Sequence, residues 1–179
     1  MLMRGQIDDA VAQLKTAVQM EPSSPSANAA LAYAYYLKRA PHDTAPFAAA
    51  ALENGDDADD AHVRLGLIYA QERRFNNAIA EFTQLHCCPR LSAALLAQVY
   101  AQDDQPERAH ALLQRIRGHD MPAFVWRNLA FAYVLLSEPK AALAAFKHAP
   151  PTFFAERSML ALDPRMDSVR SDSRFAHFL

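Results

Sequence analysis

Few side chains in this sequence stand at spacings that could do chemistry. His86, Cys87 and Cys88 are contiguous, and all three are metal-ligating types. A structural zinc site needs separated ligand pairs that converge on one ion. Three neighbouring residues cannot all turn inward on an ordinary backbone, so they read as helix-end residues and no metal is assigned. Asp56, Asp57, Asp59 and Asp60 form an acidic cluster. It lacks the spaced oxygen ligands and the acidic last position of a calcium loop. It stands just before the stretch containing Leu65, where negative charge complements a helix dipole. His42, His62, His110, His119, His148 and His177 are scattered without a catalytic partner. No Gly-rich phosphate loop, G-x-S-x-G elbow or H-E-x-x-H motif occurs. The sequence therefore reads as a non-enzyme with no cofactor. Arg73-Arg74 and Arg108, Arg115 and Arg117 are basic spots without interleaved aromatics, so they read as solvated helix faces.

The elements that carry these residues follow from composition. The chain has 179 residues, enough for one domain of ordinary size. Hydrophobic residues make up 51% of it, which permits a sizeable core, and only 4 glycines interrupt an alanine-rich chain. Few breakers and many helix formers point to an all-α protein. A formal net charge of −2 supplies no basic field for nucleic acid or an anionic membrane. No stretch approaches the roughly 20 apolar residues of a membrane helix. Met1 to Asp9 lacks the pattern of a secretory signal. Adjacent Cys87 and Cys88 cannot easily reach disulfide geometry, so a reduced compartment, the cytoplasm, is expected.

A repeat organises the chain. Asn28-Ala-Ala-Leu31-Ala32-Tyr-Ala-Tyr35 aligns with His62-Val-Arg-Leu65-Gly66-Leu-Ile-Tyr69. Ala93-Ala-Leu-Leu96-Ala97-Gln-Val-Tyr100 and Trp126-Arg-Asn-Leu129-Ala130-Phe-Ala-Tyr133 continue it. The four tyrosines step by 34, 31 and 33 residues. Leu and Tyr, four apart, share a helix face, and the small residue after Leu admits a partner helix closely. Ala78 with Phe82, Ala142 with Phe146 and Ala109 with Leu113 supply that second helix. Ala10, Leu14, Ala17 and Pro22 show the same half-pattern near the start. Pro106 and Pro139 mark second-helix starts, with Asp104 and Ser137 or Glu138 as capping or dipole-matching residues. Pro41 and Pro46 predict that the helix before Gly55 starts late, near Thr44 or Ala45. The short step between Tyr69 and Tyr100 places a three-residue deletion near Cys87-Cys88-Pro89, which predicts a tightened turn there.

Pattern and period over roughly residues 5 to 150 resemble the tetratricopeptide repeat. The resemblance implies antiparallel helix-turn-helix hairpins stacked in a right-handed superhelix, an α–α solenoid. The expected organisation is a half repeat at 1–24, repeats at 25–58, 59–89, 90–122 and 123–151, and a closing helix and tail at 152–179. It also implies a concave groove lined by the first helices, with Tyr33, Tyr36, Val63, Arg64, Leu67, Gln98, Phe124, Arg127 and Phe131 facing a partner. That groove is mostly apolar and suits a protein or peptide segment with large apolar anchors. Cochaperones of this family grip a C-terminal carboxylate with Lys, Arg and Asn. The matching positions here are Ala29, Tyr33, Arg64, Leu91 and Leu95, or, one unit on, Val63, Leu67, Leu95, Phe124 and Asn128. Only Arg64 or Asn128 fits, which disfavours a carboxylate clamp.

Both ends depart from the repeat. Met1 to Met20 reads as the second helix of a repeat without its first. Its stripe Ile7, Val11, Leu14 and Val18 is expected to lack a local partner, to be covered either by a neighbouring copy, as a homodimer, or by upstream sequence outside this chain. The closing helix is expected from Thr152 to Leu162. The tail Asp163-Pro-Arg-Met-Asp-Ser-Val-Arg-Ser-Asp-Ser-Arg-Phe175 resembles a closing segment of some bacterial repeat-bearing signalling and transcription regulators. In physical terms it is a cap in which Met166, Val169, Phe175 and Phe178 cover the last helix pair. The leading expectation is a protein–protein interaction scaffold that binds a partner in the groove. The alternatives are a self-associating module and the repeat-bearing arm of a larger regulator.

Overall fold

A computed structural model of the chain describes residues 2–54, 58–86, 88–116, 120–150 and 154–178. Two compact units divide it, Met1–Cys87 and Cys88–Leu179. Among the described residues every regular element is helical. The first unit holds α1 (Leu2–Met20), α2 (Pro25–Lys38), α3 (Pro41–Asn54), α4 (Ala58–Gln71) and α5 (Phe75–Thr83). The second holds α6 (Pro89–Gln102), α7 (Pro106–Arg115), α8 (Ala123–Leu135), α9 (Pro139–Phe146) and α10 (Phe154–Leu162). Two 3-10 turns follow α10, at Pro164–Val169 and Ser173–Phe175. No described helix is long and apolar enough to cross a membrane.

Within each hairpin the repeated tyrosine closes the first helix by its backbone. Arg39, Arg73, Asp104 and Ser137, each four residues after a repeat tyrosine, adopt φ of 61°, 59°, 56° and 61°. The next amide then donates back to the tyrosine carbonyl. Ala40 reaches Tyr35 at 3.1 Å, Arg74 reaches Tyr69 at 2.8 Å, Gln105 reaches Tyr100 at 2.9 Å and Glu138 reaches Tyr133 at 2.8 Å. A left-handed residue with this bond satisfies the orphan carbonyls of a helix end and reverses the chain. Asp104 and Ser137 thus stop the first helices. The N-cap positions of α7 and α9 belong to Gln105 and Glu138, and neither makes a side-chain capping bond. The expected capping roles of Asp104 and Ser137 are corrected accordingly.

The predicted late start of α3 is also corrected. The helix begins at Pro41 and carries Pro46 inside it. Proline costs little at a first helical position. Pro46 lies in the second turn and removes one backbone bond there. Tertiary burial offsets the loss, since Thr44, Ala48 and Ala51 are all buried. Thr44 donates its hydroxyl to the Ala40 carbonyl at 2.8 Å, which holds the first turn.

The first unit builds its core from the repeat positions. Ala32, Ala48, Leu65 and Ile68 form one cluster, flanked by Phe47, Leu52 and Tyr69. Gly66 meets Phe82 so closely that an added Cβ would stand 2.3 Å from the ring. The glycine is there because α5 approaches α4 with an aromatic ring at that point. His62 and Glu81 join the same two helices at 2.7 Å. At the start of the unit, Val11 is buried with Leu31, Ala34 and Tyr35, and Ile7, Leu14 and Val18 pack against them. The stripe expected to lack a local partner therefore packs on α2, which buries Val11 and half-buries Ile7, Leu14 and Val18. A second-type helix packs on the first helix that follows it as well as on the one that precedes it, and the sequence pattern alone hid this.

The second unit has one larger core. Leu113, Leu129, Ala130 and Phe146 are buried together with Met166, Val169, Phe175 and Phe178 from the tail. Phe146 meets Phe175 edge-on at 6.3 Å and lies 5.3 Å from Phe178. The closing segment is thus core material, in contact with the last helical hairpin.

Candidate functional site

Each unit presents one candidate face on its first helices. In the second unit that face belongs to α6 and α8, and it is built around amides. Gln98 lies one turn after Leu95 on the same side of α6 and is 2% exposed. Its side-chain N–H groups donate to the Asn128 carbonyl at 2.9 Å and to Asn128 Oδ1 at 3.2 Å. Asn128 in turn donates from Nδ2 to the Phe124 carbonyl at 2.8 Å. Both amides therefore have their nitrogens tied to α8, which leaves their oxygens to accept.

Arg165 fills that position. Its Nη1 donates to Gln98 Oε1 at 3.1 Å and to Asn128 Oδ1 at 3.2 Å. Its Nε and Nη2 reach the two carboxylate oxygens of Asp163 at 2.9 and 2.6 Å, a bidentate pair. Its guanidinium carbon lies 3.6 Å from the Phe131 ring centroid. Asp163 and Arg165 are both buried. Asp163 also caps the first 3-10 turn by accepting from the Arg165 amide at 2.9 Å. A buried charge must be paired and hydrogen-bonded, and this one has a carboxylate, two amide oxygens and an aromatic ring around it.

The same local cassette recurs nine residues on. Asp172 caps the second 3-10 turn by accepting from the Arg174 amide at 3.0 Å, and it pairs with the Arg174 side chain. That pair is solvent-facing. The Arg174 side-chain hydrogen bonds hold the Asp172 carboxyl below its ordinary range, with the backbone bond adding to the effect.

In the first unit the face belongs to α2 and α4. Tyr33 and Tyr36 stack with ring centroids 5.9 Å apart and planes 15° from parallel. Arg64 reaches across from α4, its guanidinium carbon 5.2 Å from the Tyr33 ring centre, while its Nε donates to Asp60 at 2.8 Å. Tyr36 and Leu67 are buried, and Tyr33, Val63 and Arg64 are half-buried. Gln71 donates to the Tyr36 carbonyl at 3.4 Å and ties the far end of the face.

The expected groove residues thus fall into two groups. Tyr33, Tyr36, Val63, Arg64 and Leu67 belong to the first-unit face, and contacts join Tyr33, Tyr36 and Arg64. Gln98 and Phe131 belong to the second-unit face, where the chain's own tail covers them. Expecting these two to face a partner is therefore corrected. The physical reason is a bound guanidinium that satisfies the Gln98 amide and stacks on Phe131. Phe124 stays 43% exposed and Arg127 is half-buried on the same helix. Asp163 and Arg165 were not singled out from sequence. Their signal was the twice-used Asp-x-Arg, each time followed by a buried apolar residue, Met166 or Phe175.

Of the residues with metal-ligating chemistry, Cys87, Asp56 and Asp57 lie outside the described residues, as do Gly55, Arg117, His119 and Thr152. Cys88 stands at the N-cap position of α6 and is not in a disulfide. Among the described residues no three His, Cys, Asp or Glu side chains gather as a metal site. Asp59 and Asp60 lie in the first turn of α4, where their charge suits the dipole. His148 stacks on Trp126 with ring centres 4.1 Å apart.

A family model described as TPR repeat matches residues 3–38, which span α1 and α2. No curated protein and no solved structure matches the chain.

Proposed function

We propose, because residues 3–38 match a tetratricopeptide-repeat model and the same helical hairpin recurs along the chain, that it holds a partner protein segment on the α2–α4 face of its first unit. Repeats of this family mediate protein–protein interaction. The observation that carries the reading is the Tyr33–Tyr36 stack with the Arg64 guanidinium beside it. Tyrosine and arginine are enriched among the few residues that dominate binding at protein interfaces, because they bury large areas and keep a polar tip. Both are already ordered here, Arg64 by Asp60 and the tyrosines by each other, so little side-chain freedom is lost on docking. Half-buried Val63 extends the apolar surface on α4, and Leu67 is buried on the same helix. A segment with a large apolar or aromatic anchor fits such a face. The mechanism is binding alone, with no bond made or broken.

A peptide-display selection against the full chain tests this. Selected peptides should shift the NMR signals of α2 and α4, and Tyr33→Ala should weaken them about tenfold or more while leaving the unfolding midpoint nearly unchanged. Peptides that bind elsewhere, or that bind Tyr33→Ala equally well, would overturn the assignment. Self-association through Ile7, Val11, Leu14 and Val18 is the weaker reading, since α2 packs on that stripe and buries Val11.

A further inference from the structure

We propose that the α6–α8 face of the second unit is an arginine-recognition site whose ligand is the chain's own C-terminal segment, so that this face is closed to partners while the unit is folded. The assignment stands whether or not the first unit captures a segment on α2–α4.

The face is shaped for a guanidinium before Arg165 is considered. Gln98 and Asn128 have their amide nitrogens committed to carbonyls of α8, which turns Oε1 and Oδ1 toward one point. Phe131 supplies an aromatic floor beside that point. A planar guanidinium can lie on this ring, give one nitrogen to both amide oxygens and still present a fork of donors to a carboxylate, which a compact ammonium cannot do. Arg165 meets both amide oxygens with one nitrogen and spends the other two on Asp163. The carboxylate neutralises the charge, so the ion pair enters the interior as one hydrogen-bonded unit.

The segment does not rest on this contact alone. Met166 and Phe175 are fully buried, and Val169 and Phe178 are nearly so, all in the core of the same unit. Release of Arg165 from the face would expose these side chains as well. A ligand anchored this way has a high effective concentration at its site, which a partner's arginine in solution must exceed. The tail is therefore a resident ligand of a family-type groove position.

Hydrogen exchange on the intact wild-type chain is the first test. Backbone amides of 163–178 should open together with those of α6 and α8, at matched protection. A tail that exchanges at least a hundredfold faster than these helices would overturn the proposal. The second test uses full-length Arg165→Ala, followed by the fluorescence of Trp126, the single tryptophan, on α8. Ethylguanidinium at low millimolar concentration should raise its unfolding midpoint by a few degrees, and ethylammonium at equal concentration should not. Equal rescue by both cations, no rescue by either, or equal stabilisation of the wild type by ethylguanidinium would each count against an arginine site. Should Arg165→Ala not fold, Arg165→Lys takes its place in the same assay, where its own ammonium should fail to restore the wild-type midpoint. A wild-type midpoint in Arg165→Lys would also overturn the guanidinium requirement.

Discussion

The guanidinium carbon of Arg165 lies 3.6 Å from the Phe131 ring centre, so a residue of the tail and one of α8 share a single buried contact. Removing the arginine leaves Asp163 buried and without its counter-charge. Arg165→Ala should therefore lower stability by about 3–5 kcal/mol. Phe131→Leu keeps the volume roughly filled but removes the π-face, and about 1–2 kcal/mol should be lost. Asp163→Ala with Arg165→Ala should cost less than the sum of the two single changes, because each single change strands a charge. Denaturant unfolding followed by Trp126 fluorescence measures all four variants.

Gly66 predicts a second outcome. Its added Cβ would stand 2.3 Å from Phe82 Cε1, and Phe82 is itself 1% exposed and cannot swing away. Alanine is the better helix former by about 1 kcal/mol, so propensity alone predicts stabilisation. Overpacking a rigid ring costs about 1–3 kcal/mol and should win, giving Gly66→Ala a lower melting temperature. Adding Phe82→Leu to Gly66→Ala should recover part of the loss, an outcome propensity does not predict.

Ser137 holds φ of 61° at the end of α8. A side chain in that region costs roughly 1–2 kcal/mol, and glycine does not carry the cost. Ser137→Gly should raise stability by about 0.5–1 kcal/mol, less than the full strain because glycine also frees the unfolded chain. Ser137→Val should lower it, since a branched side chain fits the left-handed region worst. Calorimetric midpoints distinguish the two directions.

The Asp172–Arg174 pair sets an acid dependence. Hydrogen bonds from Arg174 depress the folded-state pKa of Asp172. Its contribution is therefore complete above the unfolded value of about 3.9 and is lost as pH falls through the lower folded value. Carboxyl-carbon NMR should show Asp172 titrating below the usual aspartate range. Arg174→Ala should move that titration upward toward the ordinary value. Because the pair faces solvent, salt should weaken the difference.

The helices and their hairpins were legible in the sequence because they follow from local spacing. Tyr35, Tyr69, Tyr100 and Tyr133 recur with Leu four residues before each, and that pattern fixes which face of each first helix turns inward. The turns were less legible. Arg39, Arg73, Asp104 and Ser137 share a backbone conformation, but they are of three residue types and none is glycine, so composition gave no sign of it. Pro46 misled for the opposite reason: its local preference is real, but the burial of Ala48 and Ala51 outweighs it. The sharpest division is between Asp163-Pro-Arg165 and Asp172-Ser-Arg174. Each pair closes on itself and caps a short turn through contacts that span only two residues, so this much is local to the sequence although the repeat pattern does not point to it. Only the tertiary structure decides that Arg165 is buried against Gln98, Asn128 and Phe131 while Arg174 stays in solvent. Those partners lie 67, 37 and 34 positions away along the chain, and packing, not local spacing, brings them to it.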